Sequence, residues 1–458
     1  MNYSTININE IRNNQKIIKS NYHLNDGKIR INNAIKNNIL HNSLGSVTTD
    51  IYTGGIFKRI FVTKKENGLP YISAQIMQNS KPLEVAKLIS KKYTPRQGDM
   101  TLQENQLLVS CAGTVGNVRL VTKDLDGIIG SQDIIRIIAD NKKLNYGFLY
   151  AYLASPTVYQ YIQSYIYGSV VPRIEPNTLS SLPVLLFSDK LIERINDLIH
   201  NSVIHRNKAY GLLDTALNKF AEFLPEFKTP KYSMLNISEI QKDRKRFDAT
   251  FNIKALNEFY DDILNNGYKS ETIEKLSDII FTPNIFKRIR TKSEEFGVPY
   301  LGGAELLQIM PKMTDFLSKK LKNLDSYKLK KGWITVQDSG SLQTMGYVTL
   351  IPDYLDGVAA TNNLVRIIPK QQLDYNKYIF AFLKTEQGRE ILKINSYGTG
   401  QLHIDNLIVK NLKIPIIPEI FDFITDTITK HIEESELSFK KENQAIELIE
   451  NKISSWQK

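Results

Sequence analysis

The 458-residue sequence holds one cysteine, Cys111, and only six histidines. A single thiol excludes an internal disulfide framework and a cysteine-based zinc cluster, and it suits a reducing compartment. Cys111 reads as a small apolar filler. The histidines, His200 and His205 among them, show no H-E-x-x-H or comparable ligand spacing. No run of about 18 apolar residues occurs, and the opening "MNYSTININEIRNN" lacks the apolar stretch of a secretory signal. The expected location is the cytoplasm.

Catalytic signatures are missing as well. "GSLQTMG" from Gly340 has the glycine spacing of a phosphate-binding loop without its lysine. "GLPY" and "GVPY" lack the polar residue and first proline of an amino-methyltransferase motif. Asp140-Asn141-Lys142 has the Asp-x-Lys pattern of metal-dependent nucleases but no clear second carboxylate. The expectation is a chain that recognises and does not catalyse, with no metal site and no cofactor of its own.

What the sequence does contain is positive charge and a repeat. Lys plus Arg number 59 against 48 Asp plus Glu, a formal +11 that favours a polyanionic partner. "GIFKRIFVTKKENGLPYI" from Gly55 returns as "NIFKRIRTKSEEFGVPYL" from Asn284. Ile56 to Arg59 matches Ile285 to Arg288, a shift of 285 − 56 = 229, and Gly68 to Tyr71 matches Gly297 to Tyr300 at the same shift. At a shift of 230, Asp126-Gly127 maps onto Asp356-Gly357, Arg136 onto Arg366, and Tyr167-Gly168-Ser169 onto Tyr397-Gly398-Thr399. "INEI" at Ile8 lines up with "ISEI" at Ile237. The chain is one unit written twice, about 1–228 and 229–458.

Each copy closes on a helical stripe. In the first it runs through Ile192, Ile195, Ile199, Val203, Arg206, Tyr210, Leu213, Leu217, Phe220 and Leu224. In the second, 229 residues on, it runs through Phe421, Ile424, Ile428, Ile432, Ser435, Phe439, Glu442, Ile446, Ile449 and Ile453. These predict two helices of about 35 residues, each about 50 Å long, packed on each other as an antiparallel coiled coil. Gly211 is the weak point of the first, and Pro225 closes it. The alternative is that each stripe packs on its own globular domain.

The rest of each copy is expected to be mixed α/β, giving an α+β chain. "QLLVSCAGTVGNVRLVT", "IIRII", "GWITVQDSGSLQTMGYVTLI" and "NLVRII" read as short strands joined by Gly and Ser turns. "YGFLYAYLASPTVYQYIQ" and "YIFAFLKTEQGREILKI" read as core helices. A linker with a basic cluster at Lys242, Arg244, Lys245 and Arg246 joins the copies. The expected boundaries are 1–186 and 229–416 for the globular domains, and 187–228 and 417–458 for the helices.

Polar turns between strands can place side chains against base edges, and backbone amides near glycine can hold phosphate. The candidates in the first copy are Lys58, Arg59, Ser110, Gly113, Thr114, Gln132, Tyr167, Ser169 and Arg173. In the second they are Lys287, Arg288, Gln337, Ser339, Ser341, Gln343, Asn363, Tyr397, Thr399, Gln401 and His403. Lys and Arg supply phosphate attraction, while Gln, Asn and Arg can pair with two atoms of a purine. The copies agree in scaffold and differ at polar positions: Gln132 faces Asn362, Arg173 faces His403, and "CAGTVG" faces "SGSLQTMG". Unlike readers on equal frames imply a two-part, asymmetric target. The Ser and Gly members have a plainer role open to them, the making of a tight turn.

In the order "FKR…G-x-P-Y", Ser-x-x-Gly or Ser-Gly-Ser turn, "YGS" or "YGTG", then "LSSLPV" or "LKIPI", followed by a long helix and all repeated, the chain resembles the specificity subunit of type I restriction-modification systems (the HsdS family). The resemblance covers essentially the whole length, although the turn from Ser339 to Gly346 is longer than the one from Ser110 to Gly116. It implies two target recognition domains that each read a half-site of double-stranded DNA, with the paired helices as a spacer near one turn of duplex, roughly 10 base pairs. It also implies two methyltransferase subunits that carry S-adenosylmethionine, and restriction subunits that use ATP and magnesium. Service in a methylation-only or other phage-defence system, or as a scaffold that binds no DNA, stays open from the sequence.

Overall fold

The computed structural model describes the chain apart from residues 1–7, 14–17, 169, 228–231, 233, 235, 239–245, 247, 253, 292, 341–344, 371–373 and 458. The chain divides into two compact units, Met1–Asn207 together with Leu437–Lys458, and Lys208–Glu436.

In the first unit the β-branched and leucine-rich runs pair as the alternation of their side chains demands. Thr48–Thr53, Ile134–Ala139, Leu107–Ser110 and Val118–Leu120 lie side by side in one antiparallel sheet. Leu107, Val109, Ile135 and Ile137 point to a core shared with the helices Tyr146–Ala154 and Pro156–Ser164. Leu108 and Ile134 point the other way, into a core with Ile72, Met77, Leu102 and Val121. A strand covered on both faces reads as a near-continuous apolar run, as these do. A second sheet orders Phe61–Val62, Lys87–Ser90, Gly68–Ile72 and Ile129–Gly130, the last running parallel to Gly68–Ile72.

The second unit repeats this plan down to its irregularities. Ser277–Phe281, Leu364–Pro369, Ile334–Gln337 and Val348–Leu350 form the first sheet. Arg290–Thr291, Phe316–Ser318, Gly297–Leu301 and the parallel Ala359–Ala360 form the second. The pairing slips between Ser277 and Ile279 as it does between Thr48 and Asp50. Helices Tyr375–Lys384 and Glu386–Asn395 cover the first sheet.

The matched arginines Arg136 and Arg366 are fully buried. Arg136 donates to the carbonyls of Ser131 (3.2 Å), Ile134 (2.9 Å), Met100 (3.0 Å) and Gly130 (2.8 Å). It thereby ties its own strand to the second sheet. Arg366 donates to Ser326, Tyr327 (2.9 Å) and Ala360 (3.4 Å). Burial lowers both guanidinium pKa values, that of Arg366 to about 10. Among the linker cations, Lys242, Arg244 and Lys245 lie outside the described residues. Arg246 is spent on Asp248 and on the carbonyls of Asn395 (2.9 Å) and Ser396 (2.7 Å).

The two long helices run Asp189–Ala221 and Pro418–Ser455. The first ends four residues before Pro225 and passes Gly211 unbroken. Each unit takes a part of both. In the first unit the Ser202 hydroxyl donates to Ser438 O (2.9 Å), Ser438 Oγ donates to Ser202 O (2.8 Å), and Arg206 pairs with Glu442, both buried. The Tyr150 hydroxyl also donates to Glu442. In the second unit Lys208 pairs with Glu434 (2.5 Å), and His431 Nδ1 lies 2.8 Å from Ala209 O. The pairing runs antiparallel, as the stripes predict. Yet the seam is not a separate rod. Ile195, Ile199, Ala445, Ile449 and Ile453 belong to the core of the first unit. Leu213, Phe220, Ile424 and Ile428 belong to that of the second. Both expected uses of the stripes are realised: helix on helix, and helix on globule. Of the other stripe residues, Ile192 and Val203 pack on the first core, and Leu217, Phe421 and Ile432 on the second. Tyr210, Phe439 and Ile446 are half-buried.

Candidate nucleic-acid interface

At one end of the first sheet of unit 1, three loops are stitched through a single residue. Cys111 N–H donates to Asp133 O (3.0 Å), and Cys111 O accepts from Ile174 N–H (3.1 Å). Beside it Gly113 N–H reaches Pro172 O (3.1 Å), and Tyr167 and Arg173 exchange backbone bonds of 3.0 and 2.9 Å. The turn after Leu107–Ser110, the loop before Ile134 and the hairpin 167–173 therefore surround one cavity of about 170 Å³. Gln132, Asp133, Arg173, Glu175, Cys111 and Ile56 help to line it. Gln132 Oε1 is buried there with no hydrogen-bond partner, an acceptor held in reserve. Burial, with Asp133 and Glu175 nearby, pushes the Cys111 thiol up to about 12, so it stays neutral.

The sequence candidates of this unit separate by exposure. Ser110 is buried; its hydroxyl donates to Thr114 O and accepts from Asn117 N–H (3.0 Å). It builds the turn and presents nothing outward. Gly113 and Gly116 have φ of +74° and +89°, which the turn requires. Lys58, Arg59, Gly113, Thr114, Tyr167 and Arg173 are exposed and Gln132 is half-buried. Tyr167 donates its hydroxyl to the Glu175 carboxylate. Ser169 lies outside the described residues.

In unit 2 the same stitching runs through Asp338. Its N–H donates to Asn363 O (3.3 Å), and its carbonyl accepts from Ile404 N–H (2.8 Å). Asp338 therefore stands where Cys111 stands. One position earlier, Ser110 N–H bonds Asn117 O and Gln337 N–H bonds Tyr347 O, both at 2.9 Å. The counterpart of Ser110 is thus Gln337 and not Ser339, and the loop is longer by three residues, since 117 − 110 = 7 and 347 − 337 = 10. Ser339–Gly340 pairs as a strand with Leu402–His403, where the shorter loop of the first unit makes a single bridge between Ala112 and Arg173, and Ser339 is buried. Gln337 and His403 are half-buried, while Lys287, Arg288, Asn363, Tyr397, Thr399 and Gln401 are exposed. Arg288 is committed to its own domain, donating to the Tyr300 hydroxyl at 2.9 Å. Buried Asn362 donates to Asn363 Oδ1 at 2.8 Å. Ser341 and Gln343 lie outside the described residues.

The sequence candidates omit Asp133, Glu175 and Asp338. Asp338 has a buried, unpartnered Oδ1, and burial raises its carboxyl pKa against the opposing Ser339 hydrogen bond and the His403 charge. Its match with Cys111 is hidden in the sequence because the inserted residues shift the register just there. Among the described residues, no group of His, Cys, Asp and Glu is placed to hold a metal ion, and no helix is long and apolar enough to cross a membrane.

A family model described as the type I restriction modification DNA specificity domain matches twice, over residues 4–186 and 265–448. No curated protein matches the chain. Among solved structures, the S subunit of a type I restriction-modification system from M. genitalium is similar over 92% of this chain and 94% of its own, at 16% identity and a TM-score of 0.27. The HsdS subunit from Thermoanaerobacter tengcongensis is similar over 91% and 96%, at 16% identity and a TM-score of 0.27. A structure described for complex assembly and conformational transition of the type I R-M system is similar over 91% and 96%, at 14% identity and a TM-score of 0.28.

Proposed function

Because the chain belongs to the type I restriction modification DNA specificity family, we propose that it is the target-reading subunit of its complex, with each unit reading one half of an asymmetric two-part duplex site. The observation that carries this is the exchange of side chains on one repeated frame. Cys111 gives way to Asp338, Ser110 to Gln337, and Arg173 to His403, with the strands beneath them unchanged in order. Gln and Asn pair with adenine, Arg with guanine, and a carboxylate accepts from the cytosine amino group, so changed side chains on a constant frame change the bases preferred.

The chain binds and positions, and the chemistry belongs to its partners. Two methyltransferase subunits bring S-adenosylmethionine, and restriction subunits bring ATP and magnesium. The net charge of +11 supplies salt-dependent attraction to the duplex. The target base is flipped into a partner's pocket, at a cost of a few kcal/mol that the specific contacts help offset. The whole acts in the cytoplasm.

The test is co-expression with a candidate methyltransferase subunit, followed by mapping of methylated genomic positions. A motif in two separated parts is the expected result. A continuous motif, or methylation that ignores this chain, overturns the proposal.

A further inference from the structure

The loops that differ between the units serve base reading in the function proposed above, but one loop is the same in both and holds an apolar residue out into solvent. Ile56 is 87% exposed and Ile285 is 89% exposed, so neither serves the fold. The next residue does. Phe57 packs on the Tyr71, Ile89, Met100 and Ile129 cluster, and Phe286 on Tyr300, Leu317, Tyr327 and Ala359. Lys58 and Lys287 follow, both exposed, and among the described residues neither has an ion pair. Each loop is thus a seated phenylalanine that holds an isoleucine and a lysine out into solvent.

A single exposed isoleucine needs no explanation. The same one beside the same lysine in two units that have diverged at their reading positions calls for a task common to both halves of the target. What unlike half-sites share is the sugar-phosphate wall of the duplex. Two identical protein partners would also be common to both units. The position of the loop favours DNA, since Ile56 lines the same cavity as Gln132 and Arg173, and the adjacent cation matches a polyanion.

Resting on the function proposed above, we propose that Ile56-Phe57-Lys58 and Ile285-Phe286-Lys287 are two copies of a sequence-independent DNA clamp. The lysine takes a phosphate, the isoleucine packs on the sugars and base edges at the groove wall, and the phenylalanine fixes the loop to its sheet.

The full chain, co-purified with its methyltransferase subunits, is titrated against duplexes carrying the mapped target and every single-base variant of it, at several salt concentrations. Lys58→Ala and Lys287→Ala should each flatten the slope of log K against log salt by about 0.9. Ile56→Ser and Ile285→Ser should each weaken every duplex by about tenfold with the slope unchanged. The order of base preferences should survive all four changes, while Gln132→Ala alters it in one half only. A change of base preference on Ile56→Ser overturns the clamp in favour of reading. Unchanged DNA affinity with loss of the co-purifying methyltransferase overturns it in favour of a protein contact. Failure of the wild-type complex to prefer any duplex defeats the underlying functional reading instead, and the two failures are thereby told apart.

Discussion

Arg136 and Arg366 carry a buried positive charge with backbone carbonyls as their hydrogen-bond acceptors. Replacing Arg136 with Met strands several carbonyls in a dry interior, so Arg136→Met should cost about 3–5 kcal/mol in denaturant unfolding. Arg366→Met, which removes fewer bonds, should cost less. Cys111 gives a pH signature. Its folded thiol titrates near 12 against an ordinary value of 9, so between those values the unfolded chain releases a proton that the folded chain keeps. Stability is therefore whole below pH 9 and falls as pH rises toward 12, by up to about 1.4 kcal/mol per pH unit from this group. Cys111→Val should make the stability–pH slope shallower across that window and leave it unchanged below. At this scale only part of the structure was legible in the sequence. Pairing Arg136 with Arg366 needed only a constant shift, but their burial shows only once a second sheet is packed over them. Ser110 and Ser339 look like binding hydroxyls in a linear reading and become turn and strand residues when the chain closes on them.

Among the elements, the long helices were the most legible, because an apolar stripe with steps of three and four over more than thirty residues has few other solutions. Two polar interruptions of that stripe, Arg206 and Glu442, turn out to be partners. In an antiparallel pair both side chains lean toward their own N-termini, and here they converge beside Ser202 and Ser438. Glu442→Ala leaves Arg206 buried without its counter-ion and the Tyr150 hydroxyl without its acceptor. It should destabilise the chain by about 3–5 kcal/mol, whereas Arg206→Met combined with Glu442→Leu should cost much less than the two single losses together. A double-mutant cycle by chemical denaturation measures that coupling. The loops were the least legible elements. An insertion between two well-paired strands leaves the sheet intact and so leaves no periodic trace, and the three residues that hide the match of Asp338 with Cys111 became visible only through backbone bonds.

For the molecule as a whole, the duplication was plain in the sequence, but the way the copies are assembled was not. Contact between distant segments makes the first compact unit from residues 1–207 plus 437–458. Glu450 accepts from Thr157 N–H at 2.7 Å and pairs with Arg30 at 3.1 Å, and Asn37 donates to Trp456 O at 3.0 Å. A chimera that exchanges residues 1–186 alone therefore breaks contacts with a tail it retains. Exchanging 1–207 together with 437–458, the whole compact unit, should give the more stable chimera, read by thermal unfolding. Both chimeras, wherever they fold, should alter one half of the methylated motif.

The same arrangement sets an order of events during synthesis. Residues 437–458 leave the ribosome after all of the second unit, yet Ala445, Ile449 and Ile453 cover the core that Ile195 and Ile199 begin. The half that is translated first is thus the half that closes last, its core complete only when Ala445, Ile449 and Ile453 pack against it.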